Sequence, residues 1–300
     1  MSMALRTRPE AYRAYLPLVE QMVGTGFALV PVGSSVLAEI EGIYGLGRRF
    51  FARPSAEKHR YAAPAFVEGY REIGPEYSMV PERPDLTESF SMWYRNCHRP
   101  DFADWDKDCA IYPGIRHCAD TLCEVTADLF QAMAALWSPA SPRLKFQKAS
   151  YIQLNYYEPA QHRRELLQDP HEDGHLITLV KPNAPGLEIK VGDRYVAVEP
   201  AENEIVVMAG SILTLMTGDL VPPLYHQVRN SYRTDPRYSL MFFVNPEIDQ
   251  ALEPWIRNET NAGIDIIERA VNAPNQFGLP TLIDGEKGLG KAPISPTALG

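Results

Sequence analysis

No apolar run in these 300 residues approaches the roughly 18–20 consecutive positions a helix needs to cross a bilayer. No membrane partner is therefore expected. Basic charge is in short supply as well: 29 Lys and Arg stand against 38 Asp and Glu, a formal net charge of −9. Surfaces that track phosphates need clustered Lys and Arg, so no nucleic-acid partner is expected either. Cysteine is scarce. Cys97, Cys109, Cys118 and Cys123 form no CxxC pair, and the first twenty residues mix Arg6, Arg8, Arg13, Glu10 and Glu20 with apolar side chains, unlike a secretory leader. A disulfide framework is not expected, and the cytoplasm is the expected compartment. Internal repeats and low-complexity segments are lacking too. What remains is ordinary for a globular chain: 45% hydrophobic and 22% charged residues, long enough to bury a core without covalent staples.

Residues 1–147 read as a mixed helical region. Tyr15, Leu18, Val19 and Met22 recur at helical spacing over 10–24, with Pro17 as a kink or a first-turn residue. Gly24 and Gly26 stop that helix, and Phe27 to Val32 reads as a short buried strand. Ser34 or Ser35 can cap a second helix carrying Leu37, Ile40, Ile43, Tyr44 and Phe51, which Pro54 ends. Over 60–100, Pro64, Pro75, Pro81 and Pro84 break any long element. A third helix is expected near 115–137, with Leu122, Val125, Leu129, Met133 and Leu136 on one side.

The pattern changes near residue 148. Short strands are expected at 149–157, 175–180, 186–190, 194–198, 204–208, 212–216, 225–229 and 238–244, with the alternation and β-branched or aromatic enrichment of a sandwich or barrel. About eight such strands fit a double-stranded β-helix, or jelly roll. The expected fold is mainly β with flanking helices: a jelly-roll core over 148–246, an α/β region before it, and a C-terminal helix near 260–272 with a Pro- and Gly-rich tail in 247–300. The parts are expected to share one core as a single domain, 1–300.

Within the core, the segment Asp169-Pro170-His171-Glu172-Asp173-Gly174 stands out. At a strand end, positions i and i+2 project to one face, so His171 and Asp173 can point at one ion. His226, in a later strand, can supply a third ligand. Two imidazoles and one carboxylate form the facial set that holds non-haem Fe(II) and leaves coordination positions open. On a continuing strand, His175 would sit about 13 Å from His171, and Glu172 would face away, so neither is expected to be a ligand. His59, His98, His117 and His162 lack partners at ligand spacing.

Eleven residues after His226, Arg237-Tyr238-Ser239 begins a strand rich in apolar residues. Arg237 and Ser239 share a face, and a guanidinium fork with a hydroxyl suits a carboxylate. The far carboxylate of 2-oxoglutarate, whose other end chelates iron, needs such a clamp.

The order H-x-D, His, then R-x-S resembles the isopenicillin N synthase-like branch of the Fe(II)/2-oxoglutarate dioxygenases. The likeness extends over roughly residues 10–250. Gly26-Phe27, Phe50-Phe51 through Lys58, Gly69-Tyr70, Thr178-Leu179, Gly186-Leu187-Glu188-Ile189 and Met216-Thr217-Gly218 stand in order where that family has its recurring segments. Glu172 and Ser211 depart from the family's usual residues without touching the proposed ligands. The resemblance implies Fe(II), 2-oxoglutarate and O2, and it adds Asn155 and Tyr157 to the co-substrate site. It implies an oxygenase that hydroxylates, desaturates or cyclises a small organic substrate, amino-acid-like or a natural-product intermediate, with release of succinate and CO2. By the same analogy Tyr70, Glu88, Phe90, Trp93 and Phe243 line the substrate pocket. Arg163 and Arg164, before the H-x-D segment, suit either an acidic substrate or a solvated loop. Two alternatives differ in chemistry: an Fe(II) oxidase of the same fold whose Arg237 and Ser239 clamp a substrate carboxylate, and a non-catalytic jelly-roll metal binder.

Overall fold

The computed structural model describes residues 11–62, 68–80, 82–97, 109–139, 143–159, 164–247, 252–259, 261–262, 265 and 268. The expected helix at 260–272, together with Arg163, His98 and His162, lies outside the described residues or almost wholly so. A 3-10 turn over Ala11–Tyr15 leads into helix α1 (Leu16–Met22), with Pro17 in its first turn, where a missing N–H costs nothing. Gly24 and Gly26 then adopt φ of 78° and 77°, conformations that favour glycine, and β1 (Phe27–Pro31) follows. Helix α2 (Ser34–Phe51) starts at Gly33, with no side-chain cap bond. The cap expected from Ser34 or Ser35 is absent because both serines already lie inside the helix.

The chain continues through a short α3 (Ser55–Lys58), β2 (Gly69–Arg71) and β3 (Glu88–Trp93). Helix α4 (Ile111–Trp137) begins four residues before its expected start, because Pro113 is tolerated in a first turn. The β core then runs β4 (Tyr151–Tyr157), β5 (Leu166–Glu172), β6 (Ile177–Pro182), β7 (Leu187–Val191), β8 (Arg194–Ala197), β9 (Glu204–Ala209), β10 (Tyr225–Arg229) and β11 (Arg237–Val244), with helix α5 (Ser211–Met216) between β9 and β10. The strand expected at 212–216 is thus a helix. Short apolar runs do not distinguish the two by periodicity, and here Ile212, Leu213 and Met216 are buried together at helical spacing.

Two antiparallel sheets form the jelly roll. The larger has the order β1-β9-β6-β11-β4-β3-β2, the smaller β5-β10-β7-β8. Register assigns the two faces of the large sheet. Leu154, Leu240 and Phe90 lie on the outer face, where α2 and α4 pack over them. Gly47 lets α2 approach closely, since a Cβ there would meet Leu154 at 2.5 Å. Val180, Val206, Met208 and Met241 lie on the inner face, against Leu187, Ile189 and Leu224 of the opposite layer.

That assignment corrects three of the expected substrate contacts. Phe90 and Tyr70 pair across strands on the helix-facing side, and both rings pack edge-on against Phe50. Glu88 shares their face and is engaged by Lys58 and Tyr70. All three serve the helix–sheet contact because the polar Ser89 and Ser91, not the aromatics, occupy the inward positions of β3. Phe90→Ala should therefore cost about 3–5 kcal/mol of stability, the range for a large core side chain. A urea midpoint unchanged from wild type would contradict this placement.

Candidate active site

Strand β5 is the edge of the small sheet and carries Pro170, which a central strand would not tolerate. Its pairing with β10 sets His171 directly opposite His226, and the register then slips so that Asp169 and Pro170 together face Gln227. Such a bulge bends a strand and re-aims its side chains. The two rings lie 4.2 Å apart. Asp173 lies just beyond the strand end, and one ligand atom from each of His171, Asp173 and His226 lies within 4.8 Å of the others. Bonds of about 2.0–2.2 Å to a first-row ion need those atoms drawn slightly inward.

The surroundings prepare these groups for a cation. His171 Nδ1 lies 2.8 Å from the Asp169 carbonyl, an acceptor that assigns the ring proton to Nδ1 and leaves Nε2 free to ligate. Nε2 is 4.0 Å from Asp173 Oδ1. Thr178 donates to Asp173 Oδ2 at 2.5 Å, so one carboxylate oxygen is held and the other faces the histidines. His226 is buried. A neutral-ligand pair with one carboxylate fits Fe(II).

Burial, and then neighbouring His171, bring His226 down to about 4, with Asp173 opposing. An unfolded histidine titrates near 6.5. The folded chain therefore binds fewer protons than the unfolded chain between about pH 6.5 and 4, and stability drops as acid is added through that window. Asp173 acts in the same direction. Burial alone would raise its carboxyl, yet His226, His175 and His171 carry it below the ordinary value, and its contribution is lost as pH falls through the lowered value. Metal-free protein should show a clearly lower urea midpoint at pH 5 than at pH 7.5. Equal midpoints would mean that His226 is not held neutral.

His175 corrects the extended-strand expectation. The strand ends at Glu172 and the chain turns, so His175 lies near enough to Asp173 to feel its charge. It bonds Asn245 at 2.9 Å and contributes no atom to the ligand cluster. Gly210 makes the turn possible: a Cβ there would lie 2.0 Å from the His175 carbonyl oxygen.

Arg237 and Ser239 of β11 stand opposite Tyr157 and Asn155 of β4. Arg237 is 4% exposed; it donates to Ser239 Oγ at 2.7 Å and to the Pro185 carbonyl at 3.2 Å. Its guanidinium lies 4.9 Å from the Tyr157 ring centroid. Among the described residues no carboxylate pairs with it, and burial lowers its pKa. Gly186 connects it to the ligand strand: a Cβ there would touch both Arg237 Nε, at 3.4 Å, and Val228, at 3.7 Å. Val228 follows His226 by two positions on β10, so Arg237 packs beside the strand that carries His226. Asn155 and Tyr157 join the same wall, with Asn155 Nδ2 donating to Tyr157 Oη at 3.3 Å.

Of the remaining substrate candidates, Phe243 is half-buried, stacks on Tyr151 at 4.7 Å and meets His175 at a tilt at 4.8 Å. Trp93 backs Tyr151 edge-on at 5.5 Å. Arg164 is committed to the Pro84 and Leu166 carbonyls and lies 3.7 Å from Asp169, so it braces the β5 edge. The sequence reading missed Thr178 as the hydroxyl on Asp173, as well as Gln168 and Asp85. Tyr157 donates to Gln168, which donates to Asp85 at 3.2 Å. Alternation on β4 carried a usable signal, because Gln153, Asn155 and Tyr157 share one face and are hydrogen-bonded in series.

Comparison with known proteins agrees with this geometry. Residues 149–246 match the family model described as the 2OG-Fe(II) oxygenase superfamily. The mugineic-acid 3-dioxygenase of Hordeum vulgare is 31% identical over 105 residues, 34% of this chain and 31% of that protein. The isopenicillin N synthase of Penicillium rubens is 29% identical over 140 residues, 45% of this chain and 42% of that protein. The chain thus spans about a third to two fifths of these curated relatives. The crystal structure of full-length Neurospora crassa T7H in complex with alpha-KG superposes with a TM-score of 0.68 at 18% identity, over 87% of this chain and 91% of that one, a likeness of fold. Among the described residues, no helix is long and apolar enough to cross a membrane.

Proposed function

We propose that this chain, whose residues 149–246 are a 2OG-Fe(II) oxygenase superfamily domain, is an Fe(II)- and 2-oxoglutarate-dependent oxygenase acting on a small organic substrate. The observation that carries the reading is a buried Arg237 with no acidic partner among the described residues, packed beside the strand that carries His226 of a cluster of two imidazoles and a carboxylate. A buried guanidinium is costly without a counter-ion. A dicarboxylate reaching from the cluster supplies one.

In this reading His171, Asp173 and His226 hold the metal, and Thr178 fixes the Asp173 carboxylate so that it presents one oxygen. Arg237 and Ser239 clamp the far carboxylate of 2-oxoglutarate. Asn155 and Tyr157 line the same co-substrate wall, and the ring of Tyr157 keeps the guanidinium in place. Bound Fe(II), with 2-oxoglutarate and O2, supplies an oxidising equivalent and leaves succinate and CO2. The protein's part is to orient the reactants and keep water out. Trp93 and Phe243 face the substrate side beside Tyr151. We assign residues 1–300 to a single domain and the protein to the cytoplasm, in keeping with four cysteines that are all free and buried. The substrate class this reading carries is an amino-acid-like molecule or a natural-product intermediate.

The test is an anaerobic titration with Fe(II) and 2-oxoglutarate. A weak visible absorption band that requires both is the expected result. Absence of any band, with no succinate formed aerobically, would overturn the assignment.

A further inference from the structure

The inner face of the large sheet carries a second buried arginine. Arg71 lies opposite Ser89, which lies opposite Asn155, which lies opposite Ser239. These four positions form one row on the face that looks toward the ligand cluster, with Ser239 at one end and Arg71 at the other. Three strand spacings separate the ends, roughly 14 Å. Arg71 Nη2 donates to Gln153 at 2.8 Å and to Ser91 at 3.0 Å. It also pairs with Glu76 at 2.5 Å. Glu76 comes from the loop between β2 and β3, folded on itself by the Asp85 N–H donating to the Glu76 carbonyl. Both partners are largely buried, with side-chain exposures of 8% and 14%.

One hydroxyl beside this pair has no partner among the described residues. Ser89 Oγ, fully buried beside Arg71 in the row, has no hydrogen-bond partner. Buried polar atoms are normally satisfied, so an orphaned hydroxyl next to an ion pair points to a polar ligand. The pair is also tied to the side of the sheet near Asp173: Gln153, which accepts from Arg71, lies two positions from Tyr151 on the same face of β4, and the Tyr151 ring meets that of His175 at 5.7 Å.

We propose that Arg71 and Glu76 recognise the organic substrate, and that this substrate is a zwitterion of the α-amino-acid type. This rests on the oxygenase reading above and names its substrate class. The argument is one of charge. Arg71 and Glu76 neutralise each other, so a lone anion or a lone cation bound there would leave net charge in a buried site, whereas a zwitterion leaves none. The substrate carboxylate takes Arg71 and the Ser89 hydroxyl, and the ammonium takes Glu76.

The test uses the full chain, anaerobic and loaded with Fe(II) and 2-oxoglutarate, and calorimetric titration with the common α-amino acids. For each that binds, the carboxamide and the N-acetyl derivative are titrated as well. At least one amino acid should bind, and each derivative should bind roughly ten- to hundredfold more weakly, the loss for a hydrogen bond to a charged group. Arg71→Gln should weaken the parent amino acid to the same extent, and Glu76→Gln should weaken the parent but not its N-acetyl form. Ser89→Ala removes a hydroxyl with no partner, so it should weaken amino-acid binding without lowering the urea midpoint, which separates recognition from folding. The proposal is overturned if no amino acid binds, if a carboxamide or N-acetyl form binds as tightly as its parent, or if Arg71→Gln and Ser89→Ala both bind normally. A wild-type chain that shows the Fe(II)- and 2-oxoglutarate-dependent band yet binds no amino acid overturns only this proposal; one without the band overturns the oxygenase reading too.

Discussion

His226→Ala is expected to abolish tight iron binding and all succinate formation. Three side chains meet at the cluster, and among the described residues no other His, Cys, Asp or Glu joins them, so nothing substitutes for a lost imidazole. Residues that merely orient a ligand typically cost 10–100-fold in metal affinity; loss of a ligand itself should exceed about 100-fold. The same holds for His171→Ala and Asp173→Ala. The position of His226 strengthens the expectation for this variant, because its ring packs against His171 and is buried. Metal content after anaerobic desalting checks it. A variant that keeps stoichiometric iron would remove His226 from the ligand set.

Arg237→Met should separate binding from stability. Truncating one partner of a buried, hydrogen-bonded charge pair costs about 2–5 kcal/mol, so 2-oxoglutarate affinity should fall by roughly thirtyfold to a few thousandfold. In the ligand-free chain the opposite balance applies. The guanidinium has no acidic partner there, and burial already disfavours its charge. An apolar side chain of similar length should leave stability equal or raise it. Co-substrate titration of the visible band reads the first effect, and a urea midpoint without 2-oxoglutarate reads the second. Unchanged co-substrate affinity would take Arg237 out of the site. A sharply lowered midpoint would show that its bonds to Ser239 and Pro185 outweigh the cost of burying it.

The contrast between β11 and β3 shows how much the sequence disclosed. Arg237 and Ser239 sit at alternate positions in an otherwise apolar strand, and polar groups in such a place reveal which face they share. The same alternation on β3 was legible, but its direction was not. Ser89 and Ser91 face inward and Phe90 outward, because the helices α2 and α4 cover the outer face with aromatic side chains. Only long-range packing decides that. His171 and Asp173 were legible because two residues span one side of an extended chain. The fate of His175 was not, since its position depends on where β5 ends and on the bare Cα of Gly210 admitting the turn. Thr178, five residues beyond Asp173, was known only as a family position until the turn brought its hydroxyl to the carboxylate. At 212–216 the apolar run was real, and its helical form follows from buried neighbours rather than from any local signal.

Pro170 has a consequence beyond tolerating an edge. A sheet border with a full row of free amide hydrogens is an invitation for a strand of another molecule to dock and propagate. Here that border withholds one donor at Pro170, kinks at the adjacent bulge, and offers the Leu167 carbonyl to the Leu86 amide of its own loop. The residues beside His171 therefore also make that border a poorer template for another strand, and Pro170→Val would restore an amide hydrogen there.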